Sequence, residues 1–247
     1  MPPTYGMYKV LANINCITLR EVYLDIDFQL VIKNILDQIS NQIKAIFLCS
    51  PNNPSGNSFR REDLLTLVQS FDGLVVVDEA YIDFSTQDSL IEELSNYPNF
   101  IITQTLSKAY GMAGVRLGIC IASEEIIAIL NKIKPPYNIN TLTQERAIDS
   151  LQDKESIQAQ IKQLMDERSR LYEQLQGVSF VEKVYPSDAN FLLVRVDDAD
   201  KRYAQLIEND IVVRNRSQQY GCENCLRFSV GTADENKILI QTLNRLS

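Results

Sequence analysis

Thr105-Leu106-Ser107-Lys108, with Arg116 eight positions on, puts an amine, two hydroxyls and a guanidinium into one short stretch. Apolar runs flank it at 100–102 and 117–122, each short and β-branched enough to predict a buried strand. A lysine held between buried strands is poorly placed for solubility alone. Desolvation lowers the pKa of an amine, and a neutral amine attacks a carbonyl to form a Schiff base. Arginine offers a planar fork of donors to a phosphate, and serine and threonine offer shorter ones. Pyridoxal phosphate (PLP) carries both an aldehyde and a phosphate, so the stretch fits that cofactor. Alone, a Ser-Lys pair in a loop reads as an ordinary solvated feature, and its meaning depends on what the rest of the chain brings to it.

The surrounding pattern supplies positions for such company. Residues 45–49 form a continuous apolar strand that ends in Ser50-Pro51-Asn52-Asn53-Pro54-Ser55-Gly56, a run dense in turn formers and stiffened by two prolines. Residues 74–81 read as a fully buried strand delivering Asp78 and Glu79 at its C-terminal end. Strands alternating with helices predict an α/β fold with a mostly parallel sheet and flanking helices. In such sheets ligands bind beyond the carboxyl ends of the strands, so Asn53, Asp78 and Lys108 converge on one crevice. Glu79 receives no role.

Elsewhere the pattern predicts a turn-rich opening over 1–9, a strand over 17–24, a helix over 28–39 and a helix over 60–70 capped by Ser58. Helices follow at 124–133, stopped by Pro135-Pro136, at 141–151 and at 154–175, closed by Gly177. The last of these carries Ile157, Ile161, Leu164, Met165, Leu171 and Leu175 on one face. Strands at 180–184 and 190–196, a helix at 201–208, strands at 211–213 and 226–230 and a final helix then give a β-β-α-β-β-α order. The predicted division is a large domain over 1–155 and a smaller α+β domain over 156–247 that includes the linking helix.

Composition narrows the function classes. A net charge of −8 argues against nucleic acid or an anionic membrane as partner. No apolar run is long enough to span a bilayer and no basic-then-apolar leader opens the chain, so the expected location is the cytoplasm. The chain has no histidine, which argues against a zinc site and removes Ser-His and Cys-His nucleophiles. Proton transfer is left to Lys, Tyr, Asp and Glu. Of five cysteines, Cys49 and Cys120 read as small core residues, and Cys222-x-x-Cys225 has no second pair.

Five stretches in order, Pro2-Pro3-Thr4-Tyr5-Gly6-Met7-Tyr8, Ser50 to Gly56, Asp78-Glu79-Ala80-Tyr81, Thr105 to Lys108 with Arg116, and Leu226-Arg227-Phe228-Ser229-Val230-Gly231-Thr232, resemble the fold-type I, class II PLP-dependent aminotransferases. The resemblance implies that Lys108 holds PLP as a Schiff base and moves the substrate proton, and that Asp78 pairs with the pyridine nitrogen. It implies that Asn53 and Tyr81 bond the ring 3-oxygen, that Tyr5 stacks on the ring, and that Thr105, Ser107 and Arg116 take the cofactor phosphate. Arg227, with Arg214 as a second contact, would take the anionic end of a phosphorylated amine, with 2-oxoglutarate as the amino acceptor. The same resemblance implies a homodimer.

Family members carry roughly a hundred further residues ahead of the Pro-Pro-Thr-Tyr stretch, including a turn whose amides bind the cofactor phosphate at a helix N-terminus. Weak PLP affinity and impaired folding are therefore expected of this chain, and a non-catalytic remnant stays open as a reading. A PLP-dependent decarboxylase of a phosphorylated amino acid also stays open. Residues 75–80 resemble a magnesium-binding Walker B strand too, but no G-x-x-x-x-G-K-[ST] loop accompanies them.

Overall fold

A computed structural model describes residues 1–247. In chain order the first part holds α1 (Met7–Ile14), α2 (Ile32–Leu36), β1 (Ala45–Cys49), α3 (Arg61–Ser70), β2 (Leu74–Asp78), β3 (Phe100–Thr105), β4 (Gly118–Ala122), α4 (Glu124–Ile133) and α5 (Thr141–Gln152). The sheet order is β1-β2-β3-β4, with β1, β2 and β3 parallel and β4 antiparallel to β3. Alternate residues of the parallel strands, Ile46, Leu48, Val75, Val77, Phe100 and Ile102, turn to one face and are buried against Leu64, Leu67 and Val68 of α3. Each such fully buried side chain contributes about 1.5–3 kcal/mol, which makes this face the mechanical base of the site.

The second part comprises α6 (Lys154–Gln176), β5 (Val181–Val184), β6 (Phe191–Val196), α7 (Ala199–Glu208), β7 (Arg214–Asn215), β8 (Cys225–Ser229) and α8 (Ala233–Arg245). Its sheet runs β5-β6-β8-β7 with every pairing antiparallel. Leu192, Val194, Leu226 and Phe228 face a core shared with Leu171 and Leu175 of α6, Leu206 of α7 and Leu239 and Leu243 of α8. Leu193 and Cys225 face the other way and join the core of the first sheet, together with Tyr185 and Cys222. Asp153 caps α6, Asp198 caps α7, and Thr232 with Glu235 closes a capping box on α8.

Two features lock the halves at the site. The Ser50–Gly56 turn lies against the loop after β5, where the Asp188 amide donates to Gly56 O at 2.7 Å. Gly56 has φ +87°, and a Cβ there would meet the Ser187 hydroxyl at 2.4 Å, so only glycine allows this approach. Arg168 of α6 is buried and donates through Nη1 to Phe84 O at 3.0 Å and Ala189 O at 2.9 Å, tying the segment after β2 to the loop that leads into β6.

Several expectations are corrected. Residues 17–24 form no strand, because the run finds no partner ladder, and only Leu24 is buried along it. The helix predicted over 28–39 shrinks to α2, since Phe28 takes φ +56° and turns the chain. Within the turn-rich opening, helix α1 already begins at Met7. Ser58 does not cap α3; Arg60 is the N-cap residue without a side-chain cap, and the Ser58 hydroxyl pairs with that of Ser85 at 3.2 Å. β2 ends at Asp78, so Glu79 to Tyr81 lie in the following turn. The strand expected at 211–213 forms at Arg214–Asn215, after a turn at Asp210 with φ +59°. β4 is an edge strand rather than a buried one, and Ile119 and Cys120 are exposed on it, so Cys120 is no core residue.

Candidate active site

Strands β1 and β2 end at one level, β3 runs two residues further, and the chemistry-bearing residues follow their C-terminal ends. Cys49, Asp78 and Thr103 are paired across β1, β2 and β3, so the register itself sets the Asp78 carboxylate at the rim of the sheet. The Ser50 amide donates to Asp78 O at 3.0 Å, fixing where the next turn departs. Within that turn Asn52, fully buried, donates to Pro3 O at 2.9 Å and to Ser55 Oγ at 2.7 Å, and accepts from Thr4 Oγ1 at 2.9 Å. Asn52 thereby fastens the N-terminal stretch over the strand ends and delivers Tyr5 and Tyr8.

Tyr8 donates its phenol proton to Asp78 Oδ2 at 2.6 Å, and Ala80 N donates to Oδ1 at 3.1 Å. Burial raises the Asp78 carboxyl above its ordinary value, while the bonds from Tyr8, Ala80 and Thr103 and the charge of Lys108 oppose the rise. Tyr5 meets Tyr8 edge-on, with ring centroids 5.6 Å apart and planes at 89°, and its ring is partly open to solvent.

Lys108 stands in the loop between β3 and β4. Its side chain is exposed rather than held between buried strands, and β4 is itself largely exposed. Its amine lies 5.4 Å from the Tyr81 ring centroid and makes no hydrogen bond or ion pair. Partial burial and then the nearby charges of Arg227 and Arg116 lower its pKa, against the pull of Asp78. Tyr81 is buried with its ring edge-on to Phe191 at 5.3 Å, and desolvation pushes its phenol up to about 12. Thr105 Oγ1 and Ser107 Oγ are 3.0 Å apart beside Lys108, and Ser107 N donates to Thr105 Oγ1 at 3.1 Å. Arg116 has φ +55° and bonds Ala113 O through Nη1 at 2.8 Å.

The second sheet supplies the opposite wall. Arg227 of β8 donates through Nη1 to Asn53 Oδ1 at 2.6 Å, and its guanidinium lies 4.6 Å from the Phe191 ring centroid. Arg214 pairs with Arg227 across β7 and β8, and the Arg216 amide continues the ladder to Cys225 O at 2.8 Å. Alternation puts Arg214, Arg216 and Arg227 on one face of that sheet. None of the three has an ion-pair partner, and the Nε atoms of Arg216 and Arg227 are buried without a hydrogen bond. Burial, then the mutual repulsion of the cluster, depresses the pKa of Arg216 and Arg227.

Sequence reasoning named Tyr5, Asn53, Asp78, Tyr81, Thr105, Ser107, Lys108, Arg116, Arg214 and Arg227; of these, Arg227 bonds Asn53 and pairs with Arg214, Lys108 stands over the Tyr81 ring, Thr105 and Ser107 bond each other, and Arg116 bonds Ala113 O. The same reasoning did not single out Asn52, Tyr8 or Arg216. For Arg216 a signal was present, the alternation in Arg214-Asn215-Arg216. Cys222 and Cys225 are buried core thiols, and burial raises both, Cys222 to about 12. No helix is long and apolar enough to cross a membrane.

The residues suit a ligand with one basic ring nitrogen, one aldehyde and anionic groups at both ends. A carboxylate, a free amine and unneutralised guanidinium groups surround the rim in a chain whose net charge is negative, and that donor set fits PLP together with an anionic substrate.

The family model "Aminotransferase class I and II" matches residues 1–243. A histidinol-phosphate aminotransferase of Flavobacterium johnsoniae is 58% identical over all of this chain, which spans 71% of that relative. The enzyme of the same name from Flavobacterium psychrophilum is 57% identical over all of this chain and 71% of its own length. Among solved structures, the histidinol-phosphate aminotransferase of Clostridium acetobutylicum superposes with a TM-score of 0.93 at 26% identity, covering 99% of this chain and 75% of that one.

Proposed function

The chain belongs to the class I and II aminotransferases, and from that premise we propose that it carries the amino group of histidinol phosphate to 2-oxoglutarate, yielding imidazole acetol phosphate and glutamate in histidine biosynthesis. The observation that carries the substrate assignment is the cluster of Arg214, Arg216 and Arg227, with no acidic partner, facing the rim that holds Lys108 and Asp78. Three unneutralised guanidinium groups favour a phosphate dianion over a single carboxylate.

Bound PLP supplies the electron-accepting ring that stabilises charge when the substrate Cα–H bond breaks. Lys108 would hold the cofactor through its aldehyde carbon and, once displaced by the substrate amine, carry the Cα proton. The lowered pKa of its amine favours the neutral form that both tasks need. Asp78 would keep a proton on the ring nitrogen, and Asn53 and Tyr81 would donate to the ring 3-oxygen. Thr105, Ser107 and Arg116 would hold the cofactor phosphate. In the same reading the chain acts as a cytoplasmic homodimer, with its domain division near 155.

Incubation of the chain with PLP, histidinol phosphate and 2-oxoglutarate is expected to release glutamate. Lys108→Ala is expected to lower the rate by about 10³-fold or more. Carbon dioxide release from phosphothreonine without glutamate would assign the decarboxylase reading instead. Equal absence of activity in both chains would support a non-catalytic remnant.

A further inference from the structure

The Asp78 carboxylate stands at the centre of the rim, yet the closest group on it is neither Lys108 nor any arginine. It is the hydroxyl of Tyr8, 2.6 Å from Oδ2. The Tyr8 ring is held from two sides, tilted against Phe47 of β1 at 5.7 Å and edge-on to Tyr5 at 5.6 Å. The backbone that presents it is fixed as well, since Asn52 anchors Pro3 and Thr4 and α1 starts at Met7. Tyr5 lies just ahead of that helix and Tyr8 in its first turn, so one short stretch brings both rings together.

We propose that Tyr8 is a positioning residue: its phenol, donating to Oδ2, holds the Asp78 carboxylate ionised and aimed, with the rest of its acceptor capacity free for a protonated ring nitrogen. The inference rests on the reading above that Asp78 faces the cofactor ring. Burial alone would favour a neutral carboxyl at position 78, which could not keep a proton on a pyridine nitrogen. The Tyr8 bond is the largest of the influences opposing that burial. The phenol itself is driven far toward its protonated form by burial, with Cys49 and Asp78 adding to the effect, so it acts as donor throughout the working pH range. The carboxylate is thus clamped on one oxygen by a side chain and on the other by the Ala80 amide.

Tyr8→Phe removes the hydroxyl and keeps the ring that packs on Phe47. In the cofactor-free 247-residue chain, carbon-13 NMR of labelled aspartate is expected to show the Asp78 carboxyl titrating at higher pH in Tyr8→Phe than in the parent. Equilibrium dialysis is expected to show PLP held about 10-fold more weakly, the size of one charge-assisted hydrogen bond. In an Asp78→Asn background the same tyrosine change is expected to cost little further affinity. An unchanged titration overturns the proposal, and so does equal loss with and without Asp78, which would mark Tyr8 as packing only. Tighter PLP binding by Tyr8→Phe also overturns it, because the hydroxyl would then be competing for the carboxylate. A parent chain that takes up no PLP sinks the functional reading on which this one rests, whereas a parent that binds while Tyr8→Phe binds equally sinks the role of Tyr8 alone.

Discussion

Arg227 Nη1 donates to Asn53 Oδ1 at 2.6 Å, joining residues 174 positions apart. The bond couples the second sheet to the turn that follows β1, and it settles how the Asn53 amide is used. With Oδ1 occupied by the guanidinium, the Asn53 NH₂ group is left to donate toward the rim. The residue proposed to hold the substrate anion therefore also orients a residue proposed to hold the cofactor ring.

Arg227→Gln is expected to reduce kcat/KM for histidinol phosphate by roughly 100-fold, since charge-assisted bonds are worth about 1.5–3 kcal/mol and Asn53 loses its partner as well. Arg216→Gln is expected to cost roughly 10-fold with the same substrate, mainly in KM. Arg216 matters through the second negative charge of a phosphate, so the penalty should be smaller in the half-reaction with glutamate. Steady-state kinetics with the two substrates checks both. Equal losses for the phosphate and the carboxylate substrate would remove Arg216 from specificity.

Asp78 trades stability for function. Its folded pKa lies above the ordinary value of 3.8, chiefly through burial. As pH rises through the window above 3.8, the unfolded chain loses this proton first, so Asp78 makes folding less favourable there and at every higher pH. Asp78→Asn does not titrate. It is expected to raise the Tm of the cofactor-free chain by a few degrees at pH 7, with the gain shrinking toward zero below about pH 4. PLP affinity should fall in the same variant. Thermal unfolding at the two pH values, with and without PLP, measures both effects.

Glu79, beside Asp78, has a structural duty. It is only 2% exposed and accepts from Ser89 Oγ at 2.6 Å, Leu90 N at 2.8 Å and Gln104 Nε2 at 2.9 Å. One carboxylate thus ties the end of β2 to the 3-10 segment Leu90–Ser95 and to β3. Glu79→Ala strands these donors and is expected to cost roughly 3 kcal/mol, read as a lower urea midpoint with an unchanged m-value.

The sheet was legible in the sequence because short apolar, β-branched runs bounded by turn formers, as in 45–49 and 74–77, read as strands, although Phe47 and Leu74 are exposed and neither strand is buried throughout. The positions of Asn53, Asp78 and Lys108 were legible for the same reason, since strand ends fix where side chains emerge. Residues 17–24 misled because alternation alone says nothing about whether a partner ladder exists. Ile119 and Cys120 misled because an edge strand can carry the composition of a central one. Asn52 and Tyr8 depend on contacts between distant stretches, and no local pattern distinguishes a phenol that will meet Asp78 from one that will not.

Arg202 offers a test away from the site. It is 8% exposed, lies 3.9 Å from the Phe180 ring centroid, and grips Asp197 through Nε at 2.9 Å and Nη2 at 2.8 Å. Its Nη1 also donates to Leu246 O at 2.8 Å, which pins the end of α8. The fork holds the Asp197 carboxyl down at about 2, against 3.8 ordinarily. A depressed pKa contributes stability that is complete above 3.8 and disappears as pH falls through 2. The Asp197 side chain is 43% exposed, so the ion pair itself is held to about 1 kcal/mol or less, and the stacking and the Leu246 bond add to it. Arg202→Lys keeps the charge but loses fork and stack, and is expected to cost about 1–2 kcal/mol at pH 7. The gap between parent and variant should narrow as pH drops from 4 toward 2. Urea unfolding of both chains across that range checks the sign, and a gap that widens in acid would show that Asp197 is not the partner that matters.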